Sequence, residues 1–284
     1  MIPAPFDYVR AGSVAEAVST LAEYGDEAKL LAGGHSLLPL MKLRLADPLV
    51  VVDIGRVSAL RGIRDEGSSL VIGAMTTHYD VMHHAAVRSH CGLLAEATAH
   101  VGDPQVRHRG TLGGALAHGD AAGDLPAVAV AMDAELVAEG PSGRRTIPAT
   151  DFFLDYLETA LGDDEVLVEV RVPKMDGWGY RYEKFSRVAQ AWAIVGVAAL
   201  VRGHNGEVSE ARVGLTNMGS IPLRARRTEG ALAGSPAAAD TIGAAAAIAD
   251  EGTDPPSDHD AQPDYRRHLA QVLTRRALGV AAGL

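Results

Sequence analysis

The sequence predicts an α+β protein of two domains, on three observations. The chain has 284 residues, a length that suggests two domains rather than one. Residues 175–179 carry two glycines and no clear periodicity, so we place the boundary there and divide the chain into residues 1–177 and 178–284. After this boundary, three strand signals precede a series of helical signals. That order is typical of an α+β unit, in which the helices are segregated from the sheet.

The first part of the chain alternates helix and strand signals. Ser13 and Glu16 form the S-x-x-E capping box that starts a helix, and apolar residues then recur at helical spacing. Residues 29–32 indicate a buried strand that stops at two glycines. Residues 37–45 predict a short helix, and residues 49–52 predict a second strand.

Hairpins and further helices are predicted in the middle of the chain. The hairpin signals turn at residues 65–67 and 140–143, and helices are expected over residues 77–89 and 93–100. Valines alternate with other residues over residues 166–172, which indicates a strand buried on one face.

The C-terminal part begins with three predicted strands. Residues 180–185 form the first, and the Asn205-Gly206 pair is a strong two-residue hairpin turn between strands over residues 192–201 and 208–216. Helices are then predicted over residues 224–232, 237–249 and 265–277.

Composition excludes several classes of function. The formal charge of −10 argues against a nucleic-acid partner, which would need clustered Lys and Arg. A single cysteine, Cys91, permits neither an internal disulfide nor an iron–sulfur cluster with four Cys ligands. The longest apolar stretch, residues 191–201, is too short to span a bilayer, and no signal peptide is recognisable. We therefore expect a cytoplasmic protein.

Two glycine-rich segments are the strongest candidates for ligand binding. They are A-G-G-H-S at residues 32–36 and G-T-L-G-G at residues 110–114. Glycines let successive backbone N–H groups approach an anion, so two such loops facing each other could hold a pyrophosphate, with hydroxyls from Ser36 and Thr111 as further donors. The alternative is that each Gly pair only makes a tight turn. Neither the dinucleotide motif G-x-G-x-x-G nor the P-loop motif is present.

The segments around these glycines resemble a known family. K-L-L-A-G-G-H-S-L-L-P at residues 29–39 resembles the first FAD loop of the medium subunit of aerobic carbon monoxide dehydrogenase, a molybdenum hydroxylase. The segment R-G-T-L-G-G-A-L-A-H-G-D-A-A-G-D-L-P at residues 109–126 resembles the second loop, and the FAD domain of xanthine dehydrogenase is similar. The resemblance extends in order over essentially the whole chain, with further matches at Asp53 and at residues 73–78, 165–173, 182–187, 265–269 and 275–277.

The resemblance implies the fold and the binding residues. The first domain is expected to be a two-subdomain FAD-binding domain of the vanillyl-alcohol oxidase type, with subdomains of about residues 1–55 and 56–177. A small α+β C-terminal domain with a three-stranded antiparallel sheet and helices is expected to follow. The residues implied to bind FAD are Lys29, Leu31, Ala32, Gly33, Gly34, His35, Ser36, Leu37, Gly110, Thr111, Gly113, Gly114, Asp124, Leu167, Lys184 and Trp192.

Four of these positions have specific expected roles or alternatives, and one neighbouring position departs from the family pattern. Asp124 would accept hydrogen bonds from a ribose or ribityl hydroxyl, although locally it could equally be a helix N-cap. Leu167 and Lys184 would lie along the cofactor. Trp192 occupies the position that the family places over the isoalloxazine ring, although a core Trp at the start of a strand is the plain alternative. Ala115 replaces the usual Asn, so one cofactor hydrogen bond is lost or supplied elsewhere.

Other candidate sites are weaker. Five histidines lie between residues 78 and 100, but their spacing does not suit a metal site, and we expect surface histidines. Cys91 is expected to be a small buried residue. The Arg-Arg pairs at residues 226–227, 266–267 and 275–276 are expected on solvated helix faces, with a docking surface for a larger subunit as the alternative.

The function implied by the resemblance is electron transfer. FAD on this chain would receive electrons from 2Fe–2S clusters on a small partner subunit, while a large partner subunit with the molybdenum cofactor oxidises the substrate. An external acceptor, such as a quinone, NAD or oxygen, would then be reduced, and the assembly would be a dimer of heterotrimers. We predict no catalytic acid, nucleophile or metal ligand on this chain. The alternatives are a self-contained FAD oxidase of the same fold and a non-enzymatic nucleotide-binding scaffold.

Overall fold

A computed structural model describes residues 2–284 and begins with a small parallel sheet. Its strands follow the order β1-β3-β2, so that the carboxyl ends of all three strands meet at one edge. Ser13 caps the first helix: its Oγ accepts from the Glu16 N–H at 3.1 Å, and the Glu16 carboxylate accepts from the Gly12 N–H at 2.7 Å. The elements are β1 (Asp7–Arg10), α1 (Val14–Tyr24), β2 (Ala28–Leu31), α2 (Leu37–Leu43) and β3 (Val50–Asp53).

The second subdomain is an antiparallel five-stranded sheet covered by short helices. The sheet contains β4 (Ile63–Asp65), β5 (Ser69–Gly73), β6 (Glu135–Gly140), β7 (Gly143–Pro148) and β10 (Val166–Pro173), in the order β4-β5-β10-β6-β7. A two-stranded hairpin, β8 (Phe153–Asp155) and β9 (Glu158–Thr159), stands apart from it. The helices are α3 (His78–His83), α4 (Ala85–His90), α5 (Gly92–Ala99), α6 (Pro104–Arg109), α7 (Leu112–Ala117), α8 (Asp124–Ala131) and α9 (Ala149–Phe152).

Strand β10 is buried on both faces, which corrects the prediction of a half-buried strand. Its pairing with β6 shifts register between Leu167 and Glu169, and such a bulge moves the following side chains to the opposite face. Val166 and Val168 pack in the core beside the parallel sheet, whereas Leu167 and Val170 join the core under the helices. One strand therefore serves both hydrophobic cores.

Two helical predictions in this subdomain need correction. The predicted single helix over residues 77–89 is two helices, because His84 between α3 and α4 has an extended backbone with ψ 128°. The second glycine segment is not a free turn, because residues 112–114 form the first turn of α7 with Thr111 as N-cap. Helix α6 was not predicted, and it begins with Asp103 as N-cap and Pro104 in the first turn.

The C-terminal part is a long antiparallel sheet covered by helices. As predicted, Asn205 and Gly206 both have positive φ, 51° and 82°, and turn β12 into β13. The three predicted strands lie side by side in this sheet, and two further strands of two residues each pair with the third. The elements are β11 (Gly179–Phe185), β12 (Val195–His204), β13 (Glu207–Thr216), β14 (Leu223–Arg224), α10 (Arg226–Leu232), β15 (Ser235–Pro236), α11 (Ala239–Ala246) and α12 (Pro263–Ala281).

Helix α8 joins the second subdomain to the C-terminal sheet. All eight of its residues are buried, because it packs on α5 on one side and on β12 and β13 on the other. Tyr182, Ala198 and Leu200 of the C-terminal sheet consequently belong to the same hydrophobic core as α5 and α8. No helix within residues 2–284 is long and apolar enough to cross a membrane.

One of the Arg pairs expected on solvated faces lies differently. Arg266 on α12 is fully buried, and its guanidinium donates to the Asp258 carboxylate at 2.6 Å and to the Ile194 carbonyl oxygen. A buried guanidinium requires such partners because burial without them costs several kcal/mol, about 3–5 when one partner of a pair is removed. The side chains of Arg226 and Arg227 are exposed as predicted.

Candidate functional site

The first glycine loop, residues 32–37, presents a row of unpaired backbone donors. It leaves the carboxyl edge of the parallel sheet after β2 and leads into α2. Within residues 2–284 no protein acceptor lies in hydrogen-bond range of the N–H groups of these six residues. Ser36 precedes α2, yet its hydroxyl makes no capping bond. Because half-buried N–H groups need partners, this loop is built to receive a ligand rich in oxygen acceptors.

The second glycine loop uses its donors differently. The Leu112 and Gly113 N–H groups donate to the carbonyl oxygens of Thr76 and Ala74 at 3.0 and 2.9 Å, and the Gly114 N–H donates to Thr111 Oγ1 at 3.1 Å. The expectation that both loops offer rows of free N–H groups therefore holds for the first loop only. The second loop is fastened to the turn that follows β5.

The two loops nevertheless face each other in direct contact, as the sequence predicted. A Cβ on Gly33 would lie 2.3 Å from the Arg109 carbonyl oxygen and 2.9 Å from Gly110 Cα. On the far side of the second loop, a Cβ on Gly113 would lie 2.4 Å from the Ala74 Cβ. These distances leave no room for any side chain, which is the physical reason for glycine at both positions.

His78 lies beneath the second loop and is buried, which corrects its prediction as a surface histidine. Only 3% of the residue is exposed, and its ring is so close to Gly110 that a Cβ there would lie 2.8 Å from it. Its Nδ1 is buried without a partner within residues 2–284. Burial, with smaller contributions from His35 and Arg107, lowers the pKa of His78 to about 4. The ring is therefore neutral beside the loop.

This neutral histidine gives a prediction about acid stability. Its folded pKa is depressed from 6.5 to about 4, so it stabilises the fold above about pH 6.5. That contribution, up to about 3 kcal/mol, is lost as the pH falls from 6.5 towards 4. We expect the His78→Gln variant to lose less unfolding free energy than the parent over this range, measured by urea unfolding at successive pH values. A variant of the exposed His204 is the control and should follow the parent; equal slopes in all three would contradict the prediction.

Asp124 and Lys184 form a buried ion pair across the two parts of the chain. Lys184 Nζ lies 2.9 Å from Asp124 Oδ2, both side chains are 4% exposed, and Nζ also donates to the His100 carbonyl oxygen at 3.1 Å. The Tyr182 hydroxyl donates to Asp124 Oδ1 at 2.6 Å. Burial raises the pKa of Asp124, against the opposing effects of Lys184 and Tyr182, and burial raises the pKa of Tyr182 well above its usual range.

The surroundings of Asp124 exclude one of its two predicted readings, the helix N-cap. Gly123 is the N-cap of α8, and the Asp124 side chain turns away from the helix towards Tyr182 and Lys184, so it is not a capping residue. Sequence reasoning missed Tyr182, although its position two residues before Lys184 on one strand puts both side chains on the same face of the sheet. Paired ionisable groups with shifted pKa values are typical of functional sites.

Trp192 is not a core residue and does not open a strand. Its side chain is 56% exposed, and β12 begins three residues later at Val195. It stands on an exposed loop, residues 186–193, that closes where the Ile194 N–H donates to the Phe185 carbonyl oxygen at 2.8 Å. An exposed indole on a loop is available to stack on a ligand.

The remaining predicted residues are distributed around this arrangement. Leu31 packs on Gly34, whose φ is +79°, whereas Lys29 is exposed and forms no side-chain hydrogen bond or ion pair within residues 2–284. Leu167 is 5% exposed and belongs to the core. Ala115, at the position of the family's usual Asn, has its N–H bound to the Thr111 carbonyl oxygen at 3.0 Å.

The arrangement fits a flavin dinucleotide. The unpaired N–H row suits a pyrophosphate, since N–H donors bind anionic oxygens without Lys or Arg. Glycines bring the second loop into contact with the first, and the orphaned Nδ1 of His78 lies buried beneath it. These features suit the binding of a ligand that is both anionic and largely buried.

Comparison with known protein families supports the same cofactor. Residues 4–175 match the family described as the FAD binding domain in molybdopterin dehydrogenase. Residues 180–281 match the CO dehydrogenase flavoprotein C-terminal domain.

Individual relatives match over nearly their full length. The carbon monoxide dehydrogenase medium chain of Hydrogenophaga pseudoflava is 45% identical, over 99% of this chain and 98% of the relative. The 6-hydroxypseudooxynicotine dehydrogenase complex subunit alpha of Paenarthrobacter nicotinovorans is 38% identical, over 99% and 96%. A solved structure of carbon monoxide dehydrogenase from Hydrogenophaga pseudoflava, which lacks the Mo-pyranopterin moiety of its cofactor, superposes with a TM-score of 0.98 at 47% identity, covering 100% of this chain and 99% of that one.

Proposed function

The chain belongs to the FAD-binding medium-subunit family of the molybdenum hydroxylases, and from this premise we propose that it is the electron-transfer subunit of such a complex. Members of this family are subunits of oxidoreductases, and FAD is their cofactor. The observation that carries the proposal is the row of unpaired N–H groups at residues 32–37, in contact with the second glycine loop. The proposed domains remain residues 1–177 and 178–284.

The residues that would hold the cofactor follow from the site. The N–H groups and the Ser36 hydroxyl of the first loop would bind the pyrophosphate, with Gly110, Thr111, Gly113 and Gly114 beside them. Asp124 would accept a hydrogen bond from a ribose or ribityl hydroxyl, while Lys184 and Tyr182 orient its carboxylate and favour its ionised form. Trp192 would cover the flavin ring and limit access to it. When bound, FAD supplies the capacity to exchange electrons singly or in pairs, which protein side chains lack.

The proposed partners supply the rest of the electron path. A large subunit with the molybdenum cofactor would oxidise the substrate, and a small subunit with 2Fe–2S clusters would pass the electrons to this chain. Co-purification is the most direct test of this assembly. An external acceptor would then be reduced. We propose a cytoplasmic complex, a dimer of such heterotrimers. The substrate is set on another subunit, since the medium chains of relatives named for different substrates are 45% and 38% identical to this one.

The alternatives have less support. A self-contained oxidase of the same fold needs its own substrate pocket, whereas the relatives are named as a medium chain and as a complex subunit and match the chain over almost their full length. A scaffold without cofactor would leave the donors of residues 32–37 without a purpose, because unsatisfied half-buried N–H groups only cost stability.

The test is an absorption spectrum of the full chain, purified alone and together with its proposed partner subunits. We expect flavin absorption bands at about 370 and 450 nm, and release of FAD when the protein is denatured. The co-purified complex should show additional iron–sulfur absorption. A colourless protein that takes up no FAD in either preparation would contradict the cofactor assignment. Flavin without any associated iron–sulfur subunit would instead favour the self-contained oxidase.

A further inference from the structure

The loop that carries Trp192 is anchored at its base by a buried side chain of the neighbouring strand. Asn217, directly after β13, donates from Nδ2 to the Ala193 carbonyl oxygen at 2.8 Å and to the Ile194 carbonyl oxygen at 3.4 Å. Asn217 is 9% exposed, whereas Trp192 is 56% exposed. Asn217, which fixes the loop, is thus buried, whereas Trp192, which the loop carries, is exposed.

The same asparagine also binds residues 109–126, the segment that contains the second glycine loop. Its backbone N–H donates to the Ala121 carbonyl oxygen at 2.8 Å, three residues before Asp124. Its φ is +61°, in the left-handed region that Asn and Gly adopt more readily than other residues. One residue therefore binds the segment that contains Asp124 with its backbone and the Trp192 loop with its side chain.

We propose that Asn217 is a positioning residue. It joins the Trp192 loop to residues 109–126, the segment that contains the second glycine loop, and thereby sets Trp192 over the flavin ring. The inference rests on the proposed function, in which Trp192 covers the ring. Within residues 2–284 no hydrogen bond joins the two glycine loops or the ion pair of Asp124 to residues 186–194, so neither supplies this link.

The loop is held mainly at its base. Its other tie, the Arg187–Asp260 ion pair at 3.1 Å, is exposed, and exposed ion pairs contribute little. Within residues 186–193 the hydrogen bonds are few: the Ser186 hydroxyl and the Ala191 N–H both donate to the Val188 carbonyl oxygen, at 3.0 Å each. Arg266 continues to serve the Ile194 carbonyl oxygen if Asn217 is changed, but the Ala193 carbonyl oxygen loses its donor. The loss of a buried hydrogen bond of ordinary strength corresponds to roughly a tenfold rise in the ratio of displaced to anchored loop.

The experiment uses the fluorescence of Trp192 in the full chain with bound FAD. The chain has two tryptophans, so the Trp178→Phe background makes Trp192 the single reporter. Trp178 lies between Arg202 and Arg212, each 4.9 Å from its ring, away from the loop. The test variants are Asn217→Gly, which keeps the backbone conformation, and Asn217→Asp, which keeps the shape but removes the donor. The control is Asn205→Gly, since Asn205 also has positive φ but lies in the β12–β13 turn.

In the parent we expect FAD to quench Trp192 emission through contact with the ring. In both Asn217 variants FAD remains bound and the ratio of unquenched to quenched Trp192 emission rises roughly tenfold, while Asn205→Gly behaves as the parent. The visible circular dichroism of the flavin in the co-purified complex should change in both Asn217 variants and stay as in the parent for Asn205→Gly. Either Asn217 variant suffices if the other fails to fold.

Two results would overturn the proposal and are distinguishable. Undiminished quenching in the folded Asn217 variants, whatever their stability, shows that Asn217 is structural only. Absence of FAD-dependent quenching in the parent itself removes the assignment of Trp192 to the flavin, and with it the role of Asn217, although FAD binding by the glycine loops would stand.

Discussion

Replacing Gly33 by alanine is expected to lower the affinity for FAD by about ten- to hundredfold. The added Cβ would lie 2.3 Å from the Arg109 carbonyl oxygen, and the atoms it meets are backbone, which cannot rotate away. The two glycine loops must then separate, and the unpaired N–H row of residues 32–37 moves relative to the second loop. Titration of the apoprotein with FAD, followed by flavin absorbance, measures the effect.

A matched control is Gly230→Ala on α10. Gly230 is exposed within a helix, a Cβ there meets nothing within 4 Å, and Ala is a better helix former than Gly. This variant should bind FAD as the parent does and unfold at the same or slightly higher denaturant concentration. Unchanged FAD affinity in Gly33→Ala would show that the contact between the loops is not part of the cofactor site.

Replacing Asp124 by alanine is expected to cost about 3–5 kcal/mol of unfolding free energy and to abolish FAD binding. Lys184 would be left as a buried charge without its carboxylate, and the Tyr182 hydroxyl would lose its acceptor. Urea unfolding of the apoprotein measures the first effect and FAD titration the second. The double variant Asp124→Leu/Lys184→Met should recover much of the stability, because it removes both charges, but none of the FAD binding.

The control pair is Lys174 and Asp65, with the same chemistry at the surface. Their charged atoms are 2.8 Å apart, but the Asp65 side chain is 52% exposed. Asp65→Ala should leave both the unfolding midpoint and FAD binding unchanged within error, since exposed ion pairs contribute little. If the double variant regains FAD binding together with stability, Asp124 supports the fold and does not contact the cofactor.

Several features of the fold follow from short stretches of sequence. The Ser13–Glu16 capping box and the Asn205-Gly206 turn act over a few residues, and each was predicted correctly in place. The family could likewise be inferred from two ordered motifs, because their order along the chain is far more specific than either motif. These signals are readable because their physical cause, backbone conformation or local capping, lies within the motif.

The errors arose where burial depends on distant residues. His78 was expected at the surface because the spacing of the neighbouring histidines does not suit a metal site, but the second glycine loop, more than 30 positions later, covers it. Arg266 was expected in solvent, yet its guanidinium reaches the Ile194 carbonyl oxygen 72 positions earlier. The half-buried pattern of β10 was wrong because a bulge against β6 shifts its side chains between two cores.

By itself the sequence determined the α+β class and most elements, because helix caps and hairpin turns are decided by neighbours in the chain. The cofactor followed from the resemblance of the ordered motifs to a known family. Only the tertiary structure decided which donors are free, that Asp124 pairs with Tyr182 and Lys184, and that Asn217 reaches the Trp192 loop. Asp124 and Tyr182 are 58 positions apart, and no local pattern reports whether two such residues meet. That depends on how α8 packs between the two sheets, and packing is a property of the whole chain.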